Sequence, residues 1–513
     1  MRSLVTLLAL FIAFTAGAAQ EDVGVVAFAN SGAPAAQEPF LRGLAQLHNF
    51  EYPSAAKLFR KAQEIDPSFA MAYWGEAMTH THPIWFQQDL PAAREVLARA
   101  PQAKTERERD YLHTLDALYG EGTKNERDFK YADAMSALHA KYPDDVDATA
   151  FYALAILGTA HEGRDFAIYM RAAALLEEVF PSHRNHPGVL HYLIHSYDDP
   201  AHAPLGMRAA RLYGNVAPNA PHALHMTSHI FMAMGMWDEV IDANRRAIDV
   251  DNQRLKAASK PTGACGHYDT WLHYGYLQRK RLDDARQSLD ACRAWAFAEK
   301  FVARGPMDTA KLRLIDYSGM LADYVAAGNA LTAADTLTIP KEVKAPGAEF
   351  TLAYADALAA AQRGDAAAVN AAVVRLHSVE KDLGDEYIER NASNPAKRLR
   401  AEVMAKEADA LRLIVAGKSA EALPILEAAA KVESTIPLEF GPPIVPKPAA
   451  ELLGEQLVAV GRTADAAAAY RTVLERAPGR TIAVAGLQMA AKTAKPAAAG
   501  EPAATAAVHE HQH

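Results

Sequence analysis

Apolar residues recur at intervals of three and four along almost the whole chain, with polar residues between them. That periodicity predicts one amphipathic helix after another. A first group of helices is predicted over residues 70–78, 111–119, 129–142, 148–159, 168–180, 267–278 and 283–298. Alanine-rich helices follow over 312–327, 350–363, 366–383, 401–415 and 420–432. Gly328, Gly364 and Gly417 sit at helix ends, where a left-handed cap is wanted. His82-Pro83 breaks or bends the pattern, and residues 252–266 read as an insertion with Pro261 and Gly263 as breakers. Residues 437–448 form a proline-rich loop, and the Ala/Pro/Gly-rich stretch from Lys495 onward reads as disordered. No convincing strand alternation interrupts this, so the fold class is all-α.

Two central stretches carry the same histidine pattern at an offset of 34 residues. HPGVLHYLIHSYD holds His191 and His195, and PHALHMTSHIFMA holds His225 and His229. Near the start, Gly43, Ala55, Phe59, Ala62 and Pro67 supply small, small, large, small and proline positions within 36–69. Small residues let the two helices of a hairpin approach, a large one fills the space between them, and proline ends the second helix. Gly454, Gly461, Ala466, Tyr470 and Pro478 occupy the corresponding places within 447–480. Together these features resemble the tetratricopeptide-repeat (TPR) family, whose period is 34 residues, and in particular exported bacterial-type TPR proteins. The resemblance implies a TPR-like solenoid of stacked helical hairpins, a superhelical array whose concave groove receives a peptide or protein partner.

Length agrees with an array, because 513 residues exceed what a single core usually supports. Half the residues are apolar, aromatics are few, and the formal charge is −9 with no long basic run, which argues against a nucleic-acid partner. The opening MRSLVTLLALFIAFTAGAAQ reads as a signal peptide over residues 1–19: Arg2, a short apolar run, then small residues for cleavage. The alternative is an uncleaved anchor. No later segment reaches ~18 uninterrupted apolar residues, so no transmembrane helix is expected. The mature protein is expected to be exported, periplasmic or secreted. Residues 20–335 would form an N-terminal array carrying the histidines, 336–494 a C-terminal array, and 495–513 a tail. Export would place Cys265 and Cys292, the two cysteines, in an oxidising space where they either pair or remain buried thiols.

Spacings of three and four put His222, His225 and His229 on one helix face. His191 and His195 repeat two of these positions, and alignment of Asp283-Asp284 with Asp238-Glu239 brings His267 into the column of His222. The TPR resemblance implies that these six line the groove. Packed helices lie about 8–10 Å apart, so two histidines on one helix and one or two on the next can share an ion. Neutral imidazoles suit a transition metal such as Cu, Zn or Fe. Asp198, Asp199, His202 and Asp269 are candidates to complete or orient the shell, and His82 is a more remote one. The absence of H-E-x-x-H rules out a zincin. Two other readings stand beside this one: a plain protein-interaction scaffold without metal, and a metal-dependent enzyme with 252–266 as a lid. Met232, Met234 and Met236 read as core, as do Trp74, Trp85 and Phe86 beside His80. Gly417-Lys418-Ser419 lacks the first glycine of a phosphate loop, and His509, His511 and His513 offer at most loose capture of metal.

Overall fold

The computed structural model describes residues 22–298, 300–304, 308–331, 335, 339, 343–383 and 396–493. The expected signal segment and the tail with His509, His511 and His513 lie outside the described residues.

Helices follow one another in antiparallel pairs. In chain order they are α1 (Pro34–His48), α2 (Tyr52–Ile65), α3 (Ala70–Met78), α4 (Leu90–Ala98), α5 (Glu106–Leu118), α6 (Lys124–Lys141), α7 (Val146–Leu157) and α8 (Phe166–Val179). Next come α9 (Pro187–Tyr197), α10 (Ala203–Val216), α11 (Pro221–Ala233), α12 (Trp237–Ala257), α13 (His267–Gln278), α14 (Leu282–Ala296) and α15 (Ala310–Ala326). The last are α16 (Pro346–Gln362), α17 (Ala366–Glu380), α18 (Ala396–Val415), α19 (Ser419–Ser434), α20 (Ala449–Ala459), α21 (Thr463–Arg476) and α22 (Thr481–Thr493). Sequential helices pack on one another, and the first helices of neighbouring hairpins also meet, as in α1 with α3, α7 with α9 and α9 with α11. The chain is therefore an all-α helical-hairpin solenoid.

The small and large positions have a plain physical role. Phe59 is fully buried between α1 and α3, facing glycine on both sides. A Cβ at Gly43 would lie 3.1 Å from the Phe59 ring, and one at Gly75 only 2.4 Å from it. Tyr470 repeats the device near the other end, with Gly454 and Gly486 against its ring. Phe59→Ala is expected to destabilise the N-terminal hairpins by about 3–5 kcal/mol, the usual cost of emptying a large aromatic site. Urea denaturation followed by far-UV circular dichroism would measure it.

The array returns on itself twice. α1 packs against α9, so the first hairpin touches the fifth. The last hairpins reach back to α12 and α13. Trp237 donates from Nε1 to the carbonyl of Gly479 at 3.0 Å, Thr481 N–H donates to Gln278 at 2.9 Å, and Arg480 donates to Tyr274 Oη at 2.9 Å and to Glu451 at 2.6 Å. This return carries the proline-rich segment across α13. Gly441 there has φ +106°, and a Cβ on it would come within 2.8 Å of the Trp271 ring, so backbone conformation and close approach both call for glycine.

Two local expectations need correction. Residues 252–257 are not insertion but the last turns of α12, held because Arg254 reaches Glu51 at 2.6 Å and the carbonyl of Asn219. The irregular part is only 258–266, where Ser259 has φ 55° and Gly266 φ 154°. At His82-Pro83 the break contains a two-residue antiparallel pairing, β1 (Thr81–His82) with β2 (Gln87–Gln88), around a 3-10 turn. Strand alternation cannot reveal a ladder that short. Among the described residues no helix is long and apolar enough to cross a membrane.

Candidate metal centre

α9 and α11 are inner helices covered on every side, and all eleven residues of α9 are buried. Imidazoles that a lone amphipathic helix would leave wet are therefore enclosed. The structure brings His191, His195, His222, His225, His229 and His267 into one continuous group. Ring centroids lie 4.8 Å apart for His191–His195, 5.1 Å for His191–His222, 6.0 Å for His222–His225, 5.0 Å for His225–His229 and 4.5 Å for His225–His267. The six rings form two all-histidine triads, and His195 and His229 also share a group with Asp198 that bridges them. His191, His195 and His222 offer ligand atoms within 4.8 Å of one another, and so do His225, His229 and His267. Each triad takes two rings from one helix and one from another. They differ in access: the first is closed, with exposures of 0%, 2% and 7%, whereas the second has His267 exposed at its edge.

Hydrogen bonding fixes which nitrogens are bare. His191 Nδ1 donates to the backbone carbonyl of His48 at 2.6 Å. His225 Nδ1 lies 2.7 Å from Asn244 Oδ1, whose own amide donates to Val240 O, so the ring must donate. His229 Nδ1 donates to Asp198 at 2.9 Å, and His195 Nδ1 stands 3.4 Å from the same carboxylate oxygen. With Nδ1 carrying the proton, Nε2 presents a lone pair. Nε2 of His191, His195 and His222 is buried without a hydrogen-bond partner among the described residues. Nε2 of His225 and Nε2 of His229 face each other at 3.1 Å. Burial, reinforced by neighbouring imidazoles, pushes His191, His222 and His225 well below the ordinary histidine range. Burial also lowers His229, to about 4, against the pull of Asp198. His191, His222, His225 and His229 are therefore neutral bases.

Asp198 is the shared outer group of both triads. Burial opposes its charge, but Arg164 and the two histidines outweigh that and hold the carboxyl well below its usual range. Arg164 pairs with Asp198 and, at 3.2 Å, with Asp199. Asp199 in turn receives His202 Nδ1 at 2.9 Å, so Asp199 and His202 stand one step further out. Asp269 interacts with Arg304 and Asp251 rather than with an imidazole, and burial pushes it up to about 7. Cys265, two residues before His267, is disulfide-bonded to Cys292 of α14.

Several contributors were not singled out from sequence. His48 and His186 both donate from Nε2 to Asp147 Oδ1, at 2.9 and 3.2 Å. His186 Nδ1 accepts from Val189 N–H as the cap of α9, and His48 Nδ1 accepts from Tyr192 Oη at 3.0 Å. These rings have both nitrogens hydrogen-bonded, and with Asp147 they form a further buried group whose ligand atoms lie within 4.8 Å of one another, while the backbone carbonyl of His48 holds His191. Phe50 lies 4.3 Å from His191 and between 5 and 6 Å from His195 and His222, at 5.9 and 5.7 Å, although its φ of 57° is costly for a bulky residue. Phe440, from the proline-rich segment, stacks on His229 at 4.9 Å, and Trp271 does so at 4.5 Å. The only sequence signal for the His48 cluster was histidine itself; for Phe440 there was none.

The remaining candidates fall elsewhere. His82 stacks on Tyr52 at 4.0 Å, and Trp85 stands between it and His222. Trp74 packs with Phe28, Tyr111 and Phe151, and Phe86 meets His161. Met232 is buried and Met234 exposed, which disperses the methionine string.

No protein-family model and no curated protein sequence matches the chain. Among solved structures it is similar to the APC/C hetero-tetramer Cut9-Hcn1, with 10% identity over 90% of this chain and 78% of that one and a TM-score of 0.35. It is also similar to yeast Tom70, with 12% identity, coverage of 89% and 88% and a TM-score of 0.35. A third is the TPR domain of P58(IPK), with 12% identity, coverage of 90% and 98% and a TM-score of 0.21. At these identities and scores the likeness carries nothing about chemistry.

Proposed function

We propose that this is an exported, TPR-type binding protein whose groove holds a transition-metal centre built by His191, His195, His222, His225, His229 and His267, with copper, zinc or iron as the ion. One observation carries the reading: Nε2 of His225 and Nε2 of His229 stand 3.1 Å apart while each Nδ1 is committed to an acceptor. Two lone pairs at that distance repel. A proton between them would create a buried imidazolium among other imidazoles, which desolvation opposes. A metal ion removes the repulsion. With bonds of 2.0–2.1 Å, two nitrogens on one tetrahedral ion lie about 3.3 Å apart.

The disulfide between Cys265 and Cys292 fits an oxidising compartment and so supports export. A peptide or protein partner in the groove is the wider role that the solenoid suggests. The exposed edge of the second triad, following the irregular segment 258–266, favours one further reading. An enzyme needs an open coordination position, and that triad is the place for it.

Elemental analysis of the untagged chain, after exposure to copper, zinc and iron and removal of excess, tests the proposal. Retention of stoichiometric metal is expected. A metal-free chain that still captures a protein partner would leave an interaction scaffold.

A further inference from the structure

The two triads are chemically unlike although their donors are the same. The closed triad has three buried Nε2 atoms without a hydrogen-bond partner among the described residues, and no thiolate or carboxylate among its donors. Nearby carboxylates are already engaged. Asp198 is held by Arg164, and Glu51 accepts from Arg254 at 2.6 Å and from His222 N–H at 3.1 Å. The walls are aromatic: Phe50 meets all three rings, Trp85 and Tyr213 back His222 and His191, and Phe440 lies 6.0 Å from His195.

An ion bound there by imidazoles alone receives no charge from its donors, and the nearest carboxylate, Asp198 beyond His195, is already paired with Arg164. The desolvation cost rises with the square of the charge, so a dication costs about four times a monocation of equal size. Zinc(II) also seeks a fourth ligand to complete a tetrahedron. Copper(I) is a filled-shell monocation that three nitrogens satisfy in a plane, and imidazole is a suitable donor for copper. We infer that His191, His195 and His222 form a three-coordinate copper(I) site, an inference that rests on the metal reading above. The triad of His225, His229 and His267, reached by solvent at His267, accommodates a dication with water as its fourth ligand.

Metal-free, untagged full chain is titrated anaerobically with copper(I) against a chromophoric copper(I) chelator, and separately with zinc(II) against a zinc indicator. The expected result is one copper(I) equivalent that disappears in His222→Phe, together with a zinc count that His222→Phe leaves unchanged. X-ray absorption of the copper(I) form of the unsubstituted chain should show three nitrogen neighbours and no fourth ligand, a readout that survives if the variant does not fold. A zinc equivalent lost in His222→Phe, or a four-coordinate copper(I) spectrum, overturns the inference while leaving a metal protein. Retention of neither ion overturns the metal reading itself.

Discussion

In the double variant His225→Ala/His229→Ala, bound metal is expected to fall from two equivalents per chain to one. The substitution removes two of the three ligands of the open triad and leaves His267 alone, which is too few donors to hold an ion against water. The closed triad keeps all its ligands, because its rings come from α9 and from His222. Its outer partner changes, however: Asp198 no longer receives His229 and faces His195 and Arg164 only. Elemental analysis after equilibrium dialysis reads the stoichiometry. Unchanged metal content would eliminate the open triad as a site. The variant also empties two buried ring positions, and thermal unfolding should register a loss of up to about 3–5 kcal/mol for each, the cost at a large aromatic site. Native helical content by circular dichroism then separates missing ligands from a missing fold.

Asp198→Asn is expected to act on stability and on metal together. The side chain keeps its shape and loses its charge. Arg164, nearly fully buried, then retains only Asp199 as a counter-ion. Breaking a buried pair by removing one partner typically costs about 3–5 kcal/mol, measurable by urea denaturation of the metal-free chain. The same change takes a charged acceptor from His229 and His195, one ring in each triad. Outer partners of this kind usually contribute roughly 10- to 100-fold to metal affinity, so both sites should weaken. Combining the change with Arg164→Met separates the effects. The double variant should recover only part of the stability, since the guanidinium is no longer stranded but buried Asp199 is left with His202 as its partner, and none of the metal affinity. Recovery of both would mean that Asp198 matters to the ions only through the fold.

The parts of this arrangement readable from sequence are those that follow from local period. The 34-residue offset places equivalent rings on neighbouring hairpins, and three- and four-residue spacing keeps His222, His225 and His229 on one face. Glycine and aromatic positions such as Gly43, Phe59, Gly454 and Tyr470 marked the hairpins at both ends. A repeat period, however, describes only how a hairpin meets its neighbours. His48 meets Tyr192 across 144 positions and Trp237 meets Gly479 across 242, contacts set by how far the array curls, which no local spacing encodes. Asp147, Phe50 and Phe440 belong to that class. The overrun of α12 through residues 252–257 has the same origin, since Arg254 is anchored by Glu51 from a distant hairpin. Division of the six rings into a closed and an open triad follows from burial by these remote pieces.

The aromatic cover supplied by Phe440 lies far downstream of the ligands it shields. Nascent chain emerges amino end first, so His267 is synthesised long before Phe440. At ordinary elongation rates of about 5–20 residues per second the interval is on the order of 10–30 s. Until the carboxyl-terminal hairpins pack back, the His229 ring lacks the cover of Phe440. Under the metal proposal, a chain refolded with the ion present should therefore reach full occupancy sooner than a folded chain given the ion afterwards.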